Sequence, residues 1–520
     1  MTMLVDSRAD SRYPAQAPPP AQDHVDTDSP AVLPLIRDVL RSLQSAGVRC
    51  CYWKSTRRLA AVLAGDADLD LLIARADQHA ARQVLAASGL KAFPAATGRV
   101  HPALESFLGY DAHSGRIVHV HAHFRLVLGA RLLKNYQPPL ESEILAHAVS
   151  HPVLPLFMLD PLSEAVLLVV RACLELRRDD PVTLLHWANT RAKFEADRAA
   201  LRAAVAPAAV RDRAAALLGE ALADPVAAAL FGDRELAHQV LLRHRVRCAF
   251  APYRSFNTDE AMLRGAWRGL AWAAGGLNRK YLRLPRPWAR RAPGGGIVVA
   301  ALGVDGSGKT TITREMRRWL GGEVDVLPMY FGTGDGRPSL LLLPFKVLVP
   351  LITRLLPTRP EGASHGELVT GAPGPLYSAL LMVWATVLAM EKRRKLLAAR
   401  RAANRGMVVI ADRYPQNQIA GFNDGPLLPR LRWVPRWLRR FEAGAYALAN
   451  RLPPDLVLKL ATPAETLAQR EPTMDRRLIQ DRARHLHQLA FPGARVVTID
   501  ASQPLDAVIR AVKAEVWRLL

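Results

Sequence analysis

Ile297-Val298-Val299-Ala300-Ala301-Leu302 runs into Gly303-Val304-Asp305-Gly306-Ser307-Gly308-Lys309-Thr310-Thr311, and a helix-like stretch continues to Leu320. The pattern is G-x-x-x-x-G-K-T between a buried strand and a helix, the context that turns a short match into a phosphate site. Glycines let the chain curl until several N–H groups point at one spot, and the helix N-terminus adds its positive end. Lys309 then reaches β- and γ-phosphates and the Thr310 hydroxyl can hold Mg2+. A glycine-rich loop without function is the plain alternative, and strand, spacing, Lys and Thr together weigh against it.

Outward from this loop, apolar runs alternate with helical patterns. Candidate strands are Ile297–Leu302, Val324–Tyr330, Met407–Ala411, Leu456–Leu460 and Val496–Ile499. Continuous apolar strands alternating with helices predict a parallel sheet covered on both faces, an α/β architecture. Ligands then sit at the carboxyl ends of the strands. Met407–Ala411 ends there in Asp412-Arg413-Tyr414-Pro415. Asp412 can hold Mg2+ directly or through water, and Arg413 offers a planar fork for a phosphate. Farther on come Pro454-Asp455-Leu456 and a helix ending at Arg470, then Arg476 and Arg477. Arginines closing over a transferring phosphoryl group would stabilise its charge; a solvated basic face is the alternative.

These pieces resemble the thymidylate kinase family of P-loop nucleoside-monophosphate kinases, over about Gly296 to Leu520. The resemblance implies a P-loop NTPase sheet. It implies ATP phosphates bound by Gly303, Asp305, Gly306, Ser307, Gly308, Lys309, Thr310 and Thr311. It implies Mg2+ on Thr310 and Asp412, and catalytic roles for Lys309, Asp412, Arg413 and Arg470, with Arg476 or Arg477 as lid candidates. One turn departs from the family: Met329 to Gly336 replaces an Arg-Glu-Pro-Gly-Gly-like turn. ATP is therefore implied more firmly than dTMP as acceptor. Asn423-Asp424-Gly425-Pro426 is a further insert.

The front of the chain carries a second constellation. Trp53-Lys54-Ser55 precedes a short helical pattern and then Asp68-Leu69-Asp70-Leu71-Leu72-Ile73. Residues two apart on a strand share a face, so Asp68 and Asp70 can bridge Mg2+ and a triphosphate. This resembles the nucleotidyltransferase signature, with Lys54-Ser55 in place of Gly-Ser. That superfamily adds a third carboxylate on a later strand. Here the candidate strand, Ile117 to Phe124, carries His119, His121 and His123 on one face and no acid, leaving Asp111 as a weaker substitute. Three imidazoles can ligate a metal, though not in the usual hard-oxygen magnesium geometry. A degenerate, non-catalytic front domain is the rival reading. The whole layout looks like bacterial proteins with a nucleotidyltransferase-like front and a thymidylate-kinase-like rear.

The organisation expected is a disordered tail over 1–30, an α+β nucleotidyltransferase-like domain over 31–150, a helical region over 151–281, a Pro/Gly linker over 282–295 and the kinase-like domain over 296–520. Length alone allows roughly three to four domains. With 70 Lys+Arg against 47 Asp+Glu the net charge is +23, which suits nucleotides, polyphosphates or acidic surfaces but also follows from an Arg-rich proteome. Four cysteines without C-x-x-C spacing build neither a disulfide framework nor a zinc finger. The start lacks an apolar h-region, so a reduced, cytoplasmic protein is expected. Leu340 to Leu356 is interrupted by Pro344, Lys346, Pro350 and Arg354, and Leu376 to Met390 is too short to span a bilayer. Buried core helices are one reading of both; peripheral membrane contact, helped by the Arg/Trp-rich stretch Arg430 to Arg440, is the other.

Three functions remain open from the residues. The first is an ATP-dependent phosphotransferase acting on a nucleotide or another phosphorylated small molecule. The second is an ATP-gated regulatory or binding protein, and the third a nucleotidyltransferase acting through the front domain. No helix-turn-helix or aromatic-interleaved basic stripe points to specific nucleic acid. A homodimer is left open.

Overall fold

The computed structural model describes residues 32–96, 100–177, 180–332, 375–419, 425–431, 433–472 and 474–520. The tail expected over 1–30, the apolar stretch 340–356, the end of the Met329–Gly336 turn and the pair Asn423-Asp424 lie outside them.

The rear sheet forms where continuous apolar runs are long enough for strands. Its members are β8 (Val298–Gly303), β9 (Val326–Tyr330), β10 (Val408–Asp412), β11 (Leu456–Ala461) and β12 (Arg495–Asp500), in the order β12-β11-β8-β10-β9. All neighbours are parallel. Every residue of β8 and β10 is buried, as a two-faced parallel sheet requires. Pro328 sits in β9, at the sheet's edge, where a missing N–H removes no interior ladder bond. The helix Lys309–Gly321 buries Ile312, Met316 and Leu320, spaced by four, against one face of the sheet. The helix Pro375–Asn404 packs Leu396, Ala399, Ala402 and Ala403 on the other. The sequence expectation of an α/β arrangement holds, with strand ends shifted by one or two residues.

The front sheet is mixed and seven-stranded, in the order β3-β4-β5-β2-β1-β7-β6. It comprises β1 (Cys50–Tyr52), β2 (Leu69–Ile73), β3 (Lys91–Ala92), β4 (Leu104–Asp111), β5 (Arg116–His123), β6 (Val149–Ser150) and β7 (Phe157–Met158). It thus continues past residue 150, because β7 pairs with β1. The helix Pro161–Glu175 follows. Pro161 opens it and the Asp160 carboxylate accepts from the N–H groups of Leu162 and Ser163. This helix is buried nearly all round, packing Trp53, Cys51 and Leu72 of the sheet on one side and the surrounding helices on the other. All four cysteines are free.

Front and rear share a core. Phe93 and Leu108 join the cluster beneath the helix Lys309–Gly321, and Phe93 stacks on Trp517 at 6.0 Å. Lys91 Nζ donates to the Trp517 carbonyl at 2.8 Å and Lys513 Nζ to that of Gly115 at 3.0 Å. The Pro/Gly-rich segment after Tyr281 is pinned in this seam. The Ala96 N–H donates to the Ala289 carbonyl at 2.8 Å, and the Trp288 and Ala289 N–H groups donate to Asp325 at 2.7 and 2.5 Å. Among the described residues no helix is long and apolar enough to cross a membrane. Trp433 and Trp437, in the Arg/Trp-rich stretch, are exposed.

Candidate active site

Residues 303–308 turn from the end of β8 into the helix beginning at Lys309. Gly306 and Gly308 take φ of +79° and +88°, a region that costs side-chain-bearing residues energy. A Cβ on Gly303 would meet the Ser307 hydroxyl, which would have to turn away. The loop lies beside β10 and β11, the neighbours of β8, at the carboxyl end of the sheet.

Lys309 is buried and folds back on the loop, donating to the Val304 carbonyl at 2.8 Å and to Asp305 at 3.4 Å. Burial pushes its ammonium pKa down. Asp305 is a hub. Arg413 Nη2 donates to it at 2.9 Å and Arg482 Nη1 at 3.2 Å. Burial opposes its charge, yet Lys309, Arg413 and Arg482 together hold its carboxyl below the usual range. Asp412 closes the far side. The Thr310 hydroxyl donates to Asp412 Oδ2 at 3.2 Å, while Oδ1 is buried with no partner. Burial raises the Asp412 pKa, against the pull of Lys309 and Arg413.

Arg413 is held at φ +66°, an expensive conformation for an arginine, and its N–H is locked to the Ala301 carbonyl at 3.0 Å. That backbone turns its side chain back across the loop. Arg470 Nη1 donates to the Gly306 carbonyl at 3.2 Å. Arg476 and Arg477 are exposed at the start of the helix Arg476–Gln488, whereas Arg482 on that helix reaches the loop. Arg482 follows the buried Ile479 by three residues, so the helix's apolar face marked it. Lys395 was also missed; its Nζ donates to the Tyr330 carbonyl at 2.6 Å, bringing a cation to the end of β9.

The front constellation is assembled differently. β2 and β5 are parallel neighbours, with Asp70 opposite His121. His119 Nδ1 lies 3.1 Å from Asp68, His121 Nδ1 3.3 Å from Asp70, and His123 Nε2 3.2 Å from Asp70. Asp111 does not complete the set. It pairs in register with Arg116 while His119 opposes Leu108, which puts it on the other face, where it accepts from Leu35 and Ser114. Lys54 stacks over Trp53 at 4.0 Å and its pKa is lowered to about 8 by burial, with Arg171 adding to the effect. Burial disfavours the charged Asp70, but Lys54, His121 and His123 hold it ionised well below the usual carboxylate pKa. Lys134 and Arg171 act electrostatically on Asp70, and Glu175 on Lys54, and none of the three stood out in the sequence.

The seam reaches the front cluster from the far end of the helix that begins at Lys309. Glu323, just past the end of the helix Lys309–Gly321, lies 3.2 Å from His119 Nδ1 and accepts from Arg290 at 3.0 Å.

No family model matches the chain. It is 29% identical over 219 residues to the uncharacterized ATP-binding protein YghS of Escherichia coli (strain K12), covering 41% of this chain and 90% of that protein. It is 28% identical over 225 residues to the uncharacterized ATP-binding protein YghR of the same strain, covering 42% and 86%.

Proposed function

We propose that the chain binds ATP at residues 303–311 and transfers its γ-phosphate to a phosphorylated small molecule, in the manner of a nucleoside-monophosphate kinase. The observation that carries this reading is the convergence of Lys309, Thr310, Asp412 and Arg413 on one glycine-built cradle at the carboxyl end of the sheet. The similarity to two proteins named for ATP binding adds support.

Each residue then has a task. The loop N–H groups hold the β-phosphate, and Lys309 exchanges its carbonyl partner for phosphate oxygens. Thr310 and Asp412 suit Mg2+, since the Asp412 Oδ1 left without a partner is a hard oxygen donor beside the Oδ2 that accepts from the Thr310 hydroxyl. That ion would supply charge neutralisation between the phosphates. Arg413, freed from Asp305 by a competing anion, grips the acceptor phosphate bidentately. Arg470 and Arg482 approach from the other wall and offset charge that spreads over the transferring group.

ADP formation from ATP with nucleoside monophosphates and a metabolite extract, for wild type and Lys309→Ala side by side, tests the reading. Acceptor-dependent ADP release lost in the variant supports it, and equal turnover in both removes it. The Glu323–His119 contact favours a second reading, in which nucleotide at the loop gates the front sheet. ATP binding without any acceptor-dependent ADP would select that one.

A further inference from the structure

We infer that the front sheet binds a divalent transition-metal ion of the zinc type through Asp68, His119 and His121. It would stand where a nucleotidyltransferase-like site would hold magnesium. The inference is independent of phosphotransfer at the rear loop.

The donor atoms are already gathered. One oxygen of Asp68 and one ring nitrogen each of His119 and His121 all lie within 4.8 Å of one another. His119 Nδ1 stands 3.1 Å and His121 Nδ1 3.8 Å from Asp68 oxygens. Donors at zinc-ligand distances around a tetrahedral ion stand about 3.3–3.4 Å apart, and the two separations to Asp68, 3.1 and 3.8 Å, bracket that value. Parallel strands β2 and β5 hold these donors on one rigid face.

Lone pairs outnumber protons here. A ring nitrogen carries at most one proton. Yet His119 Nδ1 is approached by Asp68 at 3.1 Å and Glu323 at 3.2 Å, and His121 Nδ1 by Asp70 at 3.3 Å and Asp68 at 3.8 Å. A cation at the triad would engage the facing lone pairs of Asp68, His119 and His121 without a shared proton. His119 Nε2 and His123 Nδ1 are moreover buried with no partner, so the cluster carries more polar capacity than the protein meets.

Ligand chemistry selects the ion. Two of three donors are imidazole nitrogens, which suit zinc and its neighbours, whereas magnesium demands oxygen. A second triad, Asp70, His121 and His123, shares His121, so one ion occupies one set. Lys54 and Lys134 act on Asp70 and would repel a cation there. Asp68, with its side chain 35% exposed, opens the outer set to solvent. Three protein donors and an open position describe a site that binds an exchangeable water or anion.

The full chain, stripped with a chelator, is titrated with Co2+ and read by visible absorption. A single band is expected that Zn2+ bleaches and Mg2+ leaves in place. Asp68→Asn and His121→Gln each weaken Co2+ binding by at least about tenfold, with circular dichroism verifying the fold, while His147→Ala and Lys309→Ala bind as wild type. Absence of a Zn2+-displaceable band, binding unchanged in both site variants, or loss confined to Asp70→Asn and His123→Gln would overturn the assignment. Should the variants misfold, the wild-type thermal midpoint decides: Zn2+ raises it by mass action if the site exists, and no rise refutes it.

Discussion

The rear loop and the front sheet both present carboxylates on a strand of a covered sheet, and they differ in what faces those carboxylates. Asp412 meets a single hydroxyl and keeps one oxygen bare. Asp68 and Asp70 meet three imidazoles, and Asp70 also feels a buried lysine. A bare oxygen beside backbone N–H groups is preorganised for a hard ion and a polyphosphate. Carboxylates interleaved with ring nitrogens are preorganised for a softer one. The lesson is that an acidic residue on a strand defines a site only together with the neighbouring strand or loop.

Experiments can break or sharpen this contrast. The largest effect is expected at Lys309: Lys309→Ala should lower ATP turnover at least about 100-fold, the scale of losing one preorganised electrostatic contact. Lys54→Ala, at the front, should leave turnover in place; equal losses would mean the centres are one. Next is Arg413→Gly. It relieves a left-handed backbone worth about 1–2 kcal/mol and removes a half-exposed ion pair worth up to about 1 kcal/mol. Denaturant unfolding should therefore show no loss of stability, while acceptor-dependent turnover falls at least about tenfold; a parallel fall in both would make Arg413 structural. Glu323→Gln comes third. Unchanged ATP affinity keeps the centres independent, and a shift beyond about threefold, roughly 0.65 kcal/mol, favours gating across the seam.

A separate effect, read on stability alone, is in pH. Lys54 titrates near pH 8 when folded, below the ordinary lysine value of 10.5. Between those values the unfolded chain binds the extra proton, so stability should rise as pH rises from about 8 to 10.5. Urea unfolding of wild type against Lys54→Met isolates the effect, and equal pH slopes would place Lys54 in solvent.

The rear site was legible because its parts are local. Gly303 to Thr311 is one contiguous stretch, and Asp412-Arg413 follows directly on an apolar strand. Arg482 was passed over in favour of Arg476 and Arg477, since the four arginines on one helix differ only in the face they present. The front was half legible. The alternation of Asp68 and Asp70, and of three histidines, put each set on one face, but no spacing says which strands are neighbours. The helical pattern beginning near residue 152 likewise concealed β7, two residues long, whose pairing with β1 depends on a distant partner.

Periodicity and backbone chemistry are properties of short stretches. Alone, they determined the parallel α/β rear and the glycine-built turn after its first strand. Contacts between distant stretches belong to the fold. Only there did Asp305 gather Arg413 and Arg482, Glu323 meet His119 across the seam, and β5 come to lie beside β2. The physical reason is that electrostatics and metal ligation act over a few ångströms in space, whatever number of residues separates the partners.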